Sequence, residues 1–149
     1  MRIVIQRVTR ASVSIEDRVE SAIEKGMMVL LGVGYADTDD DIDWLVKKTI
    51  NLRIFDDSEG VMNLSVKDVE GSILVVSQFT LMASCKKGNR PSYIHAASPD
   101  VSVPLYERFC QRLSELLGKP VSTGVFGADM QVELVNDGPV TIVIDSKDK

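Results

Sequence analysis

Few side chains in this sequence could do chemistry unaided, and their spacing removes several reaction classes at once. His95 is the only histidine, so a His-based metal site lacks a second imidazole, and any Ser-His-Asp or Cys-His system would turn on that one ring. It stands in SYIHAASP at 92–99, ahead of a helix, and reads as a loop residue without catalytic duty. Cys85 sits beside Lys86 and Lys87, whose charge would lower a thiol pKa. An activated nucleophile also needs a base placed against it, and the sequence offers none there. Cys85 and Cys110 are far apart and form no CxxC pair, so neither a metal cluster nor a disulfide framework follows. Gly32-Val33-Gly34 is too short for a phosphate loop and runs into acidic residues. No metal or cofactor is implied.

Two segments carry more promise. In Ser77-Gln78-Phe79-Thr80-Leu81 an apolar run ends in a hydroxyl, an amide, an aromatic ring and a second hydroxyl. A sheet can present polar groups to a ligand at such a place; a strand end whose hydroxyl caps a turn has the same composition. In Asn136-Asp137-Gly138-Pro139-Val140-Thr141 the Asp-Gly pair favours a tight turn. Its Gly-Pro bond is of the one type that adopts cis at modest cost, which would fix successive carbonyls in an unusual arrangement.

The elements that must position these segments are legible from periodicity. The β-branched stretches 2–8 and 11–16 suggest two strands, and MMVLLGV at 27–33, after a turn at Lys25-Gly26, a central one. Acidic residues at 37–41 lead into Ile42, Leu45, Val46, Thr49 and Ile50, one face of an amphipathic helix. SILVVSQF at 72–79 reads as a strand covered on both faces. Leu105, Phe109, Leu113 and Leu116 share a face of a second helix over roughly 100–117. Ser98-Pro99 or Ser102 starts it, Gly118 ends it, and Pro104 falls in its first turn. Residues 128–135 and 139–144 form two more strands, joined as a hairpin through the Asp-Gly turn. The expected fold is α+β with α/β-type layers: one compact domain over 1–149, a mainly antiparallel or mixed sheet, and two principal helices packed on it.

Composition bounds the partners. With 44% apolar and 26% charged residues the chain can bury a core of its own. No apolar run is long enough to span a membrane, and Arg2, Gln6, Arg7 and Arg10 break up the N-terminal one, so a reduced, cytoplasmic protein is expected. A net charge of −5 argues against coating long DNA or RNA, which takes many phosphate contacts. Local positive clusters at Arg2, Arg7 and Arg10, and at Lys86, Lys87 and Arg90, leave recognition of a single RNA end open; solvated surface charge is the plainer alternative.

Taken together, QRVTRASV at 6–13, RIFDD at 53–57, MNLSV at 62–66, LVVSQFTL at 74–81, RPS at 90–92 and ADMQVELVNDGPVTI at 128–142 closely resemble the D-aminoacyl-tRNA deacylase family along essentially the whole chain. The resemblance implies a cytoplasmic homodimer that hydrolyses the ester between a D-amino acid and the terminal adenosine of tRNA. It further implies that Gly138-Pro139 is cis and reaches from one subunit into the active site of the other, beside 77–81. Arg7 would support that loop together with Asn136, Gln78 and Phe79 would line the pocket, and the Met130 region would contact the adenine. Ser77 and Thr80 would supply the motif's hydroxyls, and backbone N–H groups near Phe79 and Thr80 an oxyanion hole. The family also acts on glycine mischarged onto alanine tRNA. Two other readings compete: a non-catalytic binder of tRNA 3′ ends, and a small-ester hydrolase using Cys85 or Thr80.

Overall fold

The computed structural model describes residues 1–149. Its organising element is one long strand, β1 (Arg2–Ile15), where two strands were expected. A two-residue turn follows at Glu16-Asp17, both with positive φ (48° and 61°), and β2 (Arg18–Ile23) folds back antiparallel on Ala11–Ile15. Such turns usually carry Asn or Gly. Glu-Asp gives no such cue, and β2 is mostly exposed, so this hairpin left no mark in the sequence pattern. Next comes β3 (Gly26–Gly32), antiparallel to Arg2–Val8 of β1.

From β3 the chain crosses over through α1 (Asp39–Asn51), a small hairpin of β4 (Phe55–Asp56) and β5 (Met62–Leu64), and into β6 (Ser72–Ser77), parallel to β3. It then crosses again through α2 (Pro99–Leu117) to the short β7 (Ser122–Thr123), parallel to β6. Both crossovers step the same way across the sheet, so with the usual right-handed connection both helices land on one face. They bury one apolar cluster against it, with Ile3, Ile5, Val29, Leu31, Ile73 and Val75 on the sheet and Ile42, Leu45, Phe109 and Leu113 on the helices. The opposite face is covered by the far half of β1, where Val8, Ala11 and Val13 pack on Met28, Leu74 and Val76.

Local signals explain the helix ends. The Asp41 carboxylate accepts the Thr38 N–H at 2.8 Å and so caps α1. Asp37 stays outside the helix, buried, and accepts the Gly34 N–H at 2.7 Å. Ser98 is the N-cap of α2 and Pro99 its first residue, which moves Pro104 out of the first turn into the second. Pro104 is exposed, so the Asp100 carbonyl it cannot bond lies toward water.

The expected C-terminal hairpin does not form. A single strand, β8 (Gln131–Asp145), runs antiparallel to β1 over nearly its whole length, since β1 is long enough to pair with both halves. Gln6 pairs with Thr141 and Val8 with Asn136, so four residues, Asp137 to Val140, are extruded opposite Arg7. Pro139 has no N–H to offer a ladder, and a bulge is where a sheet tolerates it.

Candidate active site

β6 stops at Ser77, two residues short of the expected end, and Phe79–Met82 winds into a 3-10 turn. The Gln78 N–H still bonds the Leu31 carbonyl at 2.8 Å. Gly32 lets the turn lie against the sheet: a Cβ there would stand 2.9 Å from Leu81 Cβ and 3.1 Å from the Gln78 carbonyl. Arg2 fastens the turn from the other side, donating to the Leu81 carbonyl at 2.7 Å while also bonding Asp145 at 2.7 and 3.0 Å. The N–H groups of Phe79 and Thr80 open the turn and find no carbonyl partner within it.

This turn forms one wall of a cleft of about 320 Å³. The wall consists of Val76, Ser77, Gln78 and Phe79; Phe126, Gly127, Ala128, Asp129, Met130 and Val132 form the other side. Gly124 makes room for Met130, because a Cβ there would sit 2.5 Å from the Met130 sulfur. The Gln78 amide donates to Thr80 Oγ1 at 2.5 Å. An amide N–H orients a hydroxyl but cannot take its proton, so Thr80 has no base against it. Asp129 is the only titratable side chain lining the cleft. Of the lining residues, sequence reasoning picked out Ser77, Gln78, Phe79 and the Met130 region; Phe126 and Gly127 went unremarked, although they stand directly upstream of the 128–142 motif.

The second group of expected residues gathers at the extruded loop. Arg7, buried, donates from Nε to the Asp137 carbonyl at 2.8 Å and from Nη1 to the Ile54 carbonyl at 2.7 Å and Asp56 at 3.2 Å. Asn136 accepts the Val140 N–H at 2.9 Å and donates to Thr141 Oγ1 at 3.0 Å, closing the loop from within. The Gly138-Pro139 peptide is cis and both residues are exposed. Gly138 has φ +141°, and a Cβ on it would meet Val140 Cγ2 at 2.7 Å and its N at 2.9 Å.

One chain does not bring the two groups together. Ser77 is level with Leu31 and Ile3, whereas the loop is level with Arg7, with β3 and β1 standing between β6 and β8. No residue of the 136–141 loop lines the cleft.

The competing nucleophiles are elsewhere. Cys85 is exposed in the loop after the 3-10 turn and His95 is exposed in a turn before α2. Cys110 is buried in α2, and burial pushes its thiol up to about 12, far from the thiolate a nucleophile needs. No three His, Cys, Asp or Glu side chains are grouped to hold a metal ion. No helix is long and apolar enough to cross a membrane.

The family model described as D-Tyr-tRNA(Tyr) deacylase matches residues 4–145. The chain belongs to that family. It is therefore an enzyme, a deacylase. Proteins named D-aminoacyl-tRNA deacylase from Bacteroides fragilis, Porphyromonas gingivalis and Flavobacterium psychrophilum are 66%, 64% and 58% identical, over 100% of this chain and 99% of theirs. Among solved structures, one described as a c-Myc DNA unwinding element binding protein is 41% identical, with TM-score 0.93 over 97% of this chain and 98% of that one. Another, described as a probable eukaryotic D-amino acid tRNA deacylase, shares the fold at 21% identity and TM-score 0.82, over 96% and 97%.

Proposed function

We propose that this deacylase hydrolyses the ester between a D-amino acid and the 3′-terminal adenosine of tRNA, in a site that two subunits complete. The terminal adenosine occupies the cleft beside Met130, and the ester reaches the 3-10 turn. The observation that carries this reading is the separation of the two residue groups. Arg7 and Asn136 hold Gly138-Pro139 in a fixed, exposed posture, and no residue of that loop lines its own chain's cleft, so its target is the cleft of a second subunit.

Such a loop suits a chiral test. An enzyme that accepts many side chains must fix the amino group and Cα and probe the remaining direction. Backbone carbonyls on a loop held at several points grip an α-ammonium with little freedom to yield. A D residue then points its side chain out to water, while an L residue drives it into the Gly138-Pro139 backbone. Glycine has no side chain to exclude, so glycine mischarged onto alanine tRNA is also a substrate.

The chemistry is attack of water on the ester carbonyl. Negative charge developing on the carbonyl oxygen meets the free N–H groups of Phe79 and Thr80, each such donor being worth roughly a hundredfold or more in rate. The substrate's own 2′-OH assists the water, Thr80 positions, and the ester oxygen leaves as the adenosine hydroxyl. The test follows release of amino acid from D-tyrosyl, L-tyrosyl and glycyl tRNA by the purified protein. Hydrolysis of the D and glycyl esters with the L ester spared is expected. Equal loss of D and L esters would contradict the chiral role of the loop, and saturable binding without turnover would leave a non-catalytic binder.

A further inference from the structure

Beyond the cleft, the fold builds a second surface that neither the chemistry nor the chiral test uses. Phe79 lines the cleft and also meets Tyr93 edge to face, with centroids 5.0 Å apart and planes at 68°. Both rings are open to water, 56% for Phe79 and 41% for Tyr93. Aromatic pairs inside a protein are normally covered; this one continues the cleft wall outward as an exposed platform.

Tyr93 follows directly on a pinned loop. Ser84 and Ser92 exchange two backbone hydrogen bonds, of 2.8 and 2.9 Å, which close residues 85–91 into a projection at the platform's edge. Lys86, Lys87 and Arg90 are the charged residues of this projection; all are exposed and none forms an ion pair. In a chain of net charge −5, Arg90 differs from most other arginines, since Arg2, Arg7, Arg10, Arg108 and Arg112 all have carboxylate partners, whereas Lys86 and Lys87 resemble the other lysines, of which Lys147 alone is paired. Three cations in a seven-residue loop that contains no Asp or Glu, next to two exposed rings, are a local departure from an acidic composition.

We propose that Tyr93 and the Lys86, Lys87 and Arg90 loop bind the unpaired nucleotides just upstream of the terminal adenosine. A base stacks on the ring, and the cations meet the backbone phosphates. Stacking on exposed aromatics with flanking positive charge is how proteins hold single-stranded RNA. Continuity with the cleft through Phe79 sets the polarity: the 3′ end lies at the 3-10 turn and the strand leaves past Tyr93. This rests on the reading of the cleft as the aminoacyl-adenosine site and adds the substrate's upstream portion to it.

The experiment compares two substrates, D-tyrosyl tRNA and D-tyrosyl adenosine, the second lacking every upstream nucleotide. The readout is the ratio of their kcat/KM values in wild type, Tyr93→Ala, Tyr93→Phe and the triple variant Lys86→Ala/Lys87→Ala/Arg90→Ala. Tyr93→Ala and the triple variant should each lower the ratio about tenfold, the scale of a single base stacked on an aromatic ring, and Tyr93→Phe should restore it. In the triple variant the dependence of log KM for tRNA on log salt should also flatten, by about 0.7 for each phosphate that no longer meets a cation. A wild-type ratio in both variants, whether both substrates slow together or neither does, would overturn the proposal. So would a change of oligomeric state in Tyr93→Ala with the ratio unmoved, which would make the platform a subunit interface. Wild-type protein that hydrolyses neither ester would instead remove the reading of the cleft.

Discussion

At Thr80 the hydroxyl accepts the Gln78 amide at 2.5 Å and has no imidazole or carboxylate to take its proton. A threonine nucleophile without a base is weak, so Thr80→Ala should keep kcat within about tenfold of wild type, the range expected when positioning is impaired and the chemistry is kept. Asp129→Asn should do the same, because the attacking water is assisted by the substrate. Single-turnover rates on a D-aminoacyl tRNA check both; a hundredfold loss in Asp129→Asn would make that carboxylate the general base, and a trapped acyl-enzyme would make Thr80 the nucleophile. The residue types at 77–80 and 136–141 marked both halves of the proposed site in the sequence, since polar groups ending an apolar strand and a Gly-Pro pair are local features. Arg2 was noted only as positive charge. Its anchoring of the 3-10 turn depends on the pairing of β1 with β3 and β8, which brings Leu81 and Asp145 to either side of it, and no local pattern records that.

Among the elements, α1 is held at its N-terminal end by charge as well as by packing. Burial works to raise the Asp41 pKa, but hydrogen bonds from Lys147 at 2.8 Å, Ser146 and the Thr38 N–H outweigh it and hold the carboxyl well below the usual range. A folded-state pKa below the unfolded value of about 3.9 means that the unfolded chain binds the proton first. The resulting stability is complete above about pH 5 and drains away as pH falls through 4 and below. Asp145, lowered by the Lys147 N–H and Arg2 against the effect of its burial, adds to the same trend. Urea midpoints measured from pH 6 to pH 3 should therefore fall steeply in wild type and less steeply in Asp41→Asn, with the variant already weaker at pH 6. Parallel curves would contradict this account of the helix end. Both helices were legible because their apolar residues recur on one face, and strands β3 and β6 because each is an almost unbroken apolar run buried on both faces. The C-terminal hairpin misled for a physical reason: Asp-Gly favours a tight turn locally, but the long-range pairing of both halves with β1 outweighs it.

For the whole molecule, β8 is the edge of the sheet and leaves Val132, Val135 and Val143 partly or largely exposed along its length. A long, exposed apolar edge strand is a surface that proteins normally cover, and the proposed dimer offers a second copy of the chain as its cover. A two-fold dimer with shared sites also makes a prediction that no single-chain site can match. Subunits carrying Gly138→Ala keep the cleft and lose the loop, since the new Cβ would sit 2.7 Å from Val140; subunits carrying Gln78→Ala/Phe79→Ala keep the loop and lose the cleft. Each variant alone should be nearly inactive on D-tyrosyl tRNA. The decisive measurement mixes the two variants in equal amounts, allows subunits to exchange, and follows hydrolysis of D-tyrosyl tRNA. Random pairing gives one intact site in half of the dimers, so activity should recover to about a quarter of wild type. Mixed dimers as inactive as the separate variants would place the loop and the cleft of one chain in the same site, and would contradict the shared-site account.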